Sequence, residues 1–134
     1  MNSENKSIVT NFIEDIWNRN QFEKIDTYIA ADFVDHSLAP SLPANKQGMK
    51  LWITGTGKSF DHTTIIEDIV CEKNKVMVKI KMRMKHIGVW RNIEATHIDV
   101  STVGYRYFKL ANGKIVEHWA LIDGNSIERQ LKEA

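Results

Sequence analysis

The chain reads as one α+β domain, because its apolar residues change period once along its length. Through the first 53 residues they recur at helical spacing, and from about residue 62 they alternate with polar residues as strands do. A third observation is the Asn112-Gly113 pair between two runs rich in aromatic and β-branched residues. That pair supplies the positive backbone dihedrals of a tight hairpin turn. The economical arrangement is a curved, mostly antiparallel sheet with the helices packed across its concave side. Such a cone leaves a pocket wherever helices and sheet do not meet.

The first helix carries Ile8, Phe12 and Ile16 in one row and Val9, Ile13 and Trp17 in the next, a broad apolar face. Asn18-Arg19-Asn20 breaks that pattern, and a short second helix follows with Phe22, Ile25, Tyr28 and Ile29 on one side. Residues 32–36 then run extended into a loop over 37–45, which holds both prolines, Pro40 and Pro43. A third helix over 46–53 presents Met49, Trp52 and Ile53. Strands are predicted at 64–70, 75–86, 97–110 and 114–122, and a short polar helix or tail at 126–133. The second strand alternates most cleanly: Val76, Val78, Ile80, Met82, Met84 and His86 face one way, and Lys79, Lys81, Arg83 and Lys85 the other. No linker, repeat or low-complexity tract interrupts this order, so residues 1–134 form a single domain, long enough to bury a real core.

Composition excludes several classes. Eighteen Lys and Arg nearly balance seventeen Asp and Glu, so no global charge asks for nucleic acid or an acidic membrane. The basic stripe of Lys75, Lys79, Lys81, Arg83 and Lys85 reads as solvation and edge protection, and it lacks the interleaved aromatics of a single-strand binder. The single cysteine, Cys71, leaves no internal disulfide and no multi-cysteine zinc site. The five histidines form no helical i, i+4 pair and no tight cluster with carboxylates, so no metal is expected. Gly55-Thr56-Gly57-Lys58-Ser59 imitates the end of a phosphate-binding loop, but Trp52 stands where its first glycine belongs and a helix precedes it. With no long apolar run and a polar start, the expected setting is cytoplasmic.

Several segments resemble the SnoaL-like polyketide cyclase family, whose domain is a nuclear-transport-factor-2-like (cystatin-like) cone. They are Phe33-Val34-Asp35-His36, Gly48, Phe60-Asp61, His86-Ile87-Gly88, and above all the closing run Gly104…Phe108…Asn112-Gly113-Lys114-Ile115-Val116-Glu117-His118-Trp119…Asp123. The resemblance implies a cofactor-free pocket enzyme, in which a buried Asp after the Trp of Glu-His-Trp does acid–base work next to a carbonyl. At that position this chain has Ala120, and the accompanying histidine of the partner strand is replaced by Arg106. The resemblance therefore carries the fold and the pocket, and not the cyclase chemistry.

The residues themselves offer candidates. His86 ends the apolar row of its strand, so it is either a pocket base or a core histidine satisfied by a backbone carbonyl. His118 shares parity with Ala120 and faces the cavity if the strand is regular; a bulge would spoil that inference. Asp123 ends the strand, as a catalytic carboxylate or as a cap for the segment after it. Neighbours on an extended segment face opposite ways, so one of Asp35 and His36 points inward, and His36 is the favoured pocket-rim group. Arg106 shares parity with Gly104 and Phe108, which makes it an inward cation in need of a carboxylate: Asp123, Glu94 or an acidic ligand. Trp52, Met82, Met84, Tyr105 and Trp119 complete the substrate-binding candidates, although tryptophan and methionine suit an ordinary core equally well.

Two functions fit. One is a cofactor-independent cyclase, isomerase or hydrolase acting on a small apolar carbonyl compound or epoxide. His86, His118 or Asp123 would then move the proton, and Arg106 or Tyr105 would polarise an oxygen. The other is a binding or sequestering protein that kept the pocket and lost the base. Tyr105, Tyr107, Trp119 and Leu121 share the outward parity, an apolar patch expected to form a homodimer.

Overall fold

The computed structural model describes residues 2–134; Met1, first in the polar start, lies outside them. Helix α1 (Asn2–Phe12) runs directly into a π-helical turn at Ile13–Asn18. Both apolar rows are used: Val9, Phe12, Ile13, Ile16 and Trp17 are buried. The wider π turn holds an extra residue per turn, and Asn18 at its end is tied to the sheet. Its side chain donates to the Thr64 carbonyl (3.0 Å) and accepts from the Thr64 amide (2.7 Å). A single 3₁₀ turn (Phe22–Lys24) and the one-turn helix α2 (Ile25–Tyr28) lead into strand β1 (Ile29–Asp35). The remaining elements are α3 (Lys46–Ser59), β2 (Phe60–Glu72), β3 (Lys75–His86), β4 (Asp99–Ala111), β5 (Lys114–Ile122) and α4 (Gly124–Glu133).

The five strands are ordered β1-β5-β4-β3-β2. All neighbours are antiparallel except β1 and β5, which run parallel. The expected extended exit over 32–36 is thus a full strand, because the edge of β5 is open to receive it. Asn112 (φ 51°) and Gly113 (φ 77°) make the β4–β5 turn as their types predict. A register shift between Lys109 and Leu110 marks a bulge early in β5. From His118 to Gly104's partner Ile122 the pairing is regular, so side-chain parity holds across the part of β5 that matters for the site.

The third helix is longer than its pattern suggests, passing through Gly55-Thr56-Gly57 to Ser59, where the Thr56 hydroxyl donates to the Trp52 carbonyl at 2.9 Å. That apparent phosphate loop is helix. Strand β2 accordingly begins at Phe60, four residues before the predicted start. At its other end α3 is capped by Asn45, whose side chain accepts from the Gly48 amide at 3.0 Å. A Cβ on Gly48 would lie 1.7 Å from the Pro43 carbonyl oxygen, so the proline loop can close onto α3 only at a glycine. The loop is held to β1 by the Asp35 amide, which donates to the Ala44 carbonyl at 3.2 Å.

Replacing Gly48 with Ala is therefore expected to cost about 1–3 kcal/mol in urea unfolding, since the clash is with backbone. An unchanged midpoint would show that the loop is free to shift.

Candidate active site

The site is set by one register. Parallel pairing of β1 with β5 places Asp35 beside His118, and antiparallel pairing of β5 with β4 places Ala120 beside Arg106. All four lie on the concave, helix-covered side. There His118 Nδ1 lies 3.1 Å from Asp35 Oδ2, and His118 Nε2 lies 3.4 Å from Arg106 Nη1. The other carboxylate oxygen of Asp35 accepts from the Ser37 amide (3.0 Å) and hydroxyl (2.7 Å), an Asx turn closed within two residues. Arg106 lies 4.2 Å above the ring of Trp17, delivered by the π turn, and Phe108 supports the His118 ring at 4.8 Å between centroids. Asp35, His118 and Arg106 are 2%, 5% and 3% exposed.

Charge in this row is decided by burial and by the neighbours. Burial alone would raise the Asp35 carboxyl, but the hydrogen bond and charge of His118 and the two Ser37 donors outweigh it and hold it below the usual range. His118 is pushed down, first by burial and then by the Arg106 cation, against the pull of Asp35, and is neutral at pH 7. Burial lowers Arg106 to about 10, which leaves it a cation. With His118 neutral, its Nδ1–H donates to Asp35 and its Nε2 accepts from Arg106. The row reads carboxylate, imidazole, guanidinium.

It lines a cavity of about 240 Å³ walled by Phe12, Trp17, Met49, Trp52 and Ile122, with Ala120 in its floor. Ordinary sites for drug-sized ligands run about 300–1,000 Å³, so this one suits a small molecule. A larger groove of about 600 Å³ lies on the outer face of the sheet, open, between Thr63, Lys81, Arg83 and Gln130. Lys85 there is the cross-strand neighbour of Asp61 and Asp99, so its charges alternate, and no histidine reaches it. No group of three or more metal-ligating side chains converges among the described residues. No described helix is long and apolar enough to cross a membrane.

A family model for SnoaL-like polyketide cyclases matches residues 7–131. The chain belongs to that family. Among solved structures it is similar to AclR from Streptomyces galilaeus, a proposed hydroxylase, with 23% identity, TM-score 0.85, and coverage of 100% of this chain and 99% of that one. IdmH from Streptomyces antibioticus, a proposed polyketide cyclase, has 23% identity and TM-score 0.86 over 96% and 98% of the two chains. A proposed polyketide cyclase from Acidithiobacillus ferrooxidans has 20% identity and TM-score 0.86 over 98% and 96%. No curated protein matches the sequence significantly. The helices and five-stranded curved sheet are the nuclear-transport-factor-2-like cone of these SnoaL-like relatives.

Of the candidates read from the sequence of this SnoaL-like chain, Arg106, His118 and Trp52 line the cavity. The others lie elsewhere. His36 points outward, stacked on Trp119 at 4.4 Å and 3.1 Å from Glu117, so Asp35 and not His36 is the inward residue. Trp119 and Tyr105 lie on that same outer face, for their strand parity excludes them from the cone. Met82 and Met84 are buried in the core away from this cavity. His86 is buried outside the lining of this cavity, with its Nδ1 accepting from the Thr96 amide at 3.1 Å, a contact that pins the 87–98 loop. Asp123 caps α4, accepting from the Ser126 amide at 3.0 Å, and makes no bridge to Arg106. Glu94 makes none either.

Asp35, weighed against His36 in the sequence, shares strand parity with the apolar Phe33, the signal that marks it as inward. One residue near the site was not among the candidates. His62 shares parity with Phe60 and Thr64; it lies 5.9 Å from the Trp17 ring, and burial first and Arg106 second push it down, against the pull of Asp61.

Stability is expected to fall on acidification through the range just below pH 6.5, the ordinary histidine value. A depressed His118 is stabilising above that pH, and its contribution is lost as the unfolded chain takes up the proton, up to about 1.4 kcal/mol per pH unit. Asp35, also depressed, adds a loss only below about pH 4. Urea unfolding at pH 7.5, 6.5 and 5.5 should give a shallower slope for His118→Gln than for the parent; equal slopes would contradict the assignment.

Proposed function

We propose that this SnoaL-like protein is a cofactor-independent acid–base enzyme that enolises a small carbonyl compound. The observation that carries the reading is the buried row Asp35–His118–Arg106 on one wall of a small cavity whose other walls are largely apolar. As Arg106 turns its N–H from Nε2 to the substrate's carbonyl oxygen, His118 takes a proton at Nε2 from the carbon next to the carbonyl, and the electron pair moves onto that oxygen. Arg106, itself buried, meets the developing oxyanion. Asp35 holds the imidazole in the Nδ1–H tautomer and stabilises the cation that forms. The proton on Nε2 then returns to another carbon, giving an isomer, or to the alkoxide formed when the enolate carbon closes on a second carbonyl, giving a ring. The acid–base group thus comes from the residue two before Ala120. A binding or sequestering role is the second reading, favoured by the absence of a carboxylate at position 120 itself.

We also assign the outer sheet face to a homodimer. Val103, Tyr105 and Leu121 lie together there, with Leu121 78% exposed. Tyr107 and Trp119 form its inner margin, packed against each other at 5.3 Å.

In deuterated water, a panel of small ketones should exchange protons next to the carbonyl in the presence of the protein. His118→Gln should slow that exchange by about 10²–10⁴. The acid limb of the pH–rate profile should lie below pH 6.5, and Asp35→Asn should move it lower still, because the carboxylate that raises His118 is gone. No exchange above buffer by the folded parent would leave the binding role. For the dimer, light scattering at micromolar concentration should give twice the chain mass, and Leu121→Lys should halve it; a monomeric parent would refute the interface.

A further inference from the structure

We propose that this cavity selects a small carboxylate, short-chain or single-ring, and that seating it brings one proton from solvent onto His118. The inference rests on reading the cavity as the ligand site, and it deepens that reading by naming the substrate class. It starts from the donors of Arg106. A guanidinium offers five N–H groups; here Nη1 contacts His118, and Nε is buried with no partner among the described residues. Trp17 covers one face of the cation but has no lone pair in reach of the N–H edge. Buried unpaired donors on a cation are costly, and a carboxylate matches the guanidinium edge in a bidentate pair.

No protein carboxylate can answer that need. Asp35 has committed one oxygen to His118 and the other to Ser37. Asp123 is occupied as the α4 cap. At the position paired with Arg106 across β5 stands Ala120, whose methyl group leaves the space in front of the guanidinium open. The helices that close the cavity contribute Phe12, Trp17, Met49 and Trp52, none of them charged. A ligand carboxylate is therefore the group best matched, in charge and in shape, to the open donors of Arg106.

The proton follows from charge balance. Unliganded, Asp35 and Arg106 cancel around a neutral His118. An added anion draws the Arg106 donors away from His118 Nε2 and leaves one uncompensated negative charge in a low-dielectric site; a proton on the freed Nε2 restores neutrality between two carboxylates. The other titratable groups near the row are His62 on β2, which neighbours Arg106 and has Asp61 beside it, and His36 on β1, which points outward to Glu117. His62 is the competing place for the proton. The proton so held passes first to the substrate's carbonyl oxygen, which returns His118 to the neutral base that then takes the proton from the neighbouring carbon, so that enolisation proceeds in that order.

The test uses the folded parent protein, with histidine ring nitrogens labelled, and two probes of one shape: benzoate and its neutral isostere benzamide. Benzoate is expected to bind at least tenfold more tightly, with its Kd tightening by up to about tenfold per pH unit from pH 8 to pH 6. The His118 ring nitrogens should pass from the neutral Nδ1–H pattern to the doubly protonated one as benzoate saturates. Equal affinity for the two probes, or a proton appearing on His62 instead, would overturn the proposal. Ala120→Asp gives a second, independent arm: its carboxylate should occupy Arg106, abolish the preference for benzoate and protonate His118 without ligand. Retained benzoate selectivity in that variant would count against the assigned subsite. A protein that binds benzoate in this way but exchanges no substrate protons defeats the enolisation reading and leaves this one standing, and exchange without anion preference does the reverse.

Discussion

A cation buried under the sheet is the constraint around which this molecule is arranged. Arg106 lies in the middle of β4, on the concave face, where neighbouring positions of the same parity are Gly104 and Phe108. Removing a guanidinium from water is expensive unless something replaces the hydration. Here the replacement comes from three directions. Trp17 offers the face of its indole, His118 an imidazole lone pair, and Asp35 a charge one residue further away. Each of these has its own scaffold: the π turn for Trp17, the regular half of β5 for His118, and the parallel β1 edge for Asp35.

Those scaffolds explain features that would otherwise look incidental. The π turn ends at Asn18, which clamps the Thr64 backbone from both sides and so fixes how deeply Trp17 enters the cone. The proline loop after β1 closes onto α3 at Gly48, and at its start Ser37 turns back onto Asp35. With His118, whose hydrogen bond and charge come first, those donors offset the burial that favours the protonated form of Asp35. The site and the packing of the N-terminal third are thus one problem, solved together.

In this SnoaL-like chain, Ala120 leaves the cavity floor without a carboxylate and Arg106 sets a fixed cation beside it. The imidazole in the cavity lining is that of His118, two residues before Ala120 on the same face of β5, and its carboxylate partner Asp35 comes from a different strand. A pocket with a fixed cation favours negative charge in whatever it holds, whether an oxyanion formed in the reaction or a carboxylate brought in with the ligand.

Much of this was legible along the chain. Alternation through Val76 to His86 dictates a strand buried on one face, the i, i+4 rows from Ile8 to Trp17 dictate an apolar helix face, and Asn112-Gly113 dictates the hairpin that joins β4 to β5. Strand parity alone turns Arg106 and His118 inward and Tyr105 and Trp119 outward, because side chains alternate strictly across a pleated sheet. Partners are another matter. That Arg106 meets His118 and not Asp123 depends on the β5 register, and that Asp35 meets His118 depends on β1 adding in parallel to the free edge of β5, a pairing 83 positions apart in sequence. Local spacing carries no information about which distant strand will fill an open edge. The sequence by itself determined which residues face the interior; only the tertiary structure decided which of them share a charge, since burial and proximity, not residue type, set the protonation of the row.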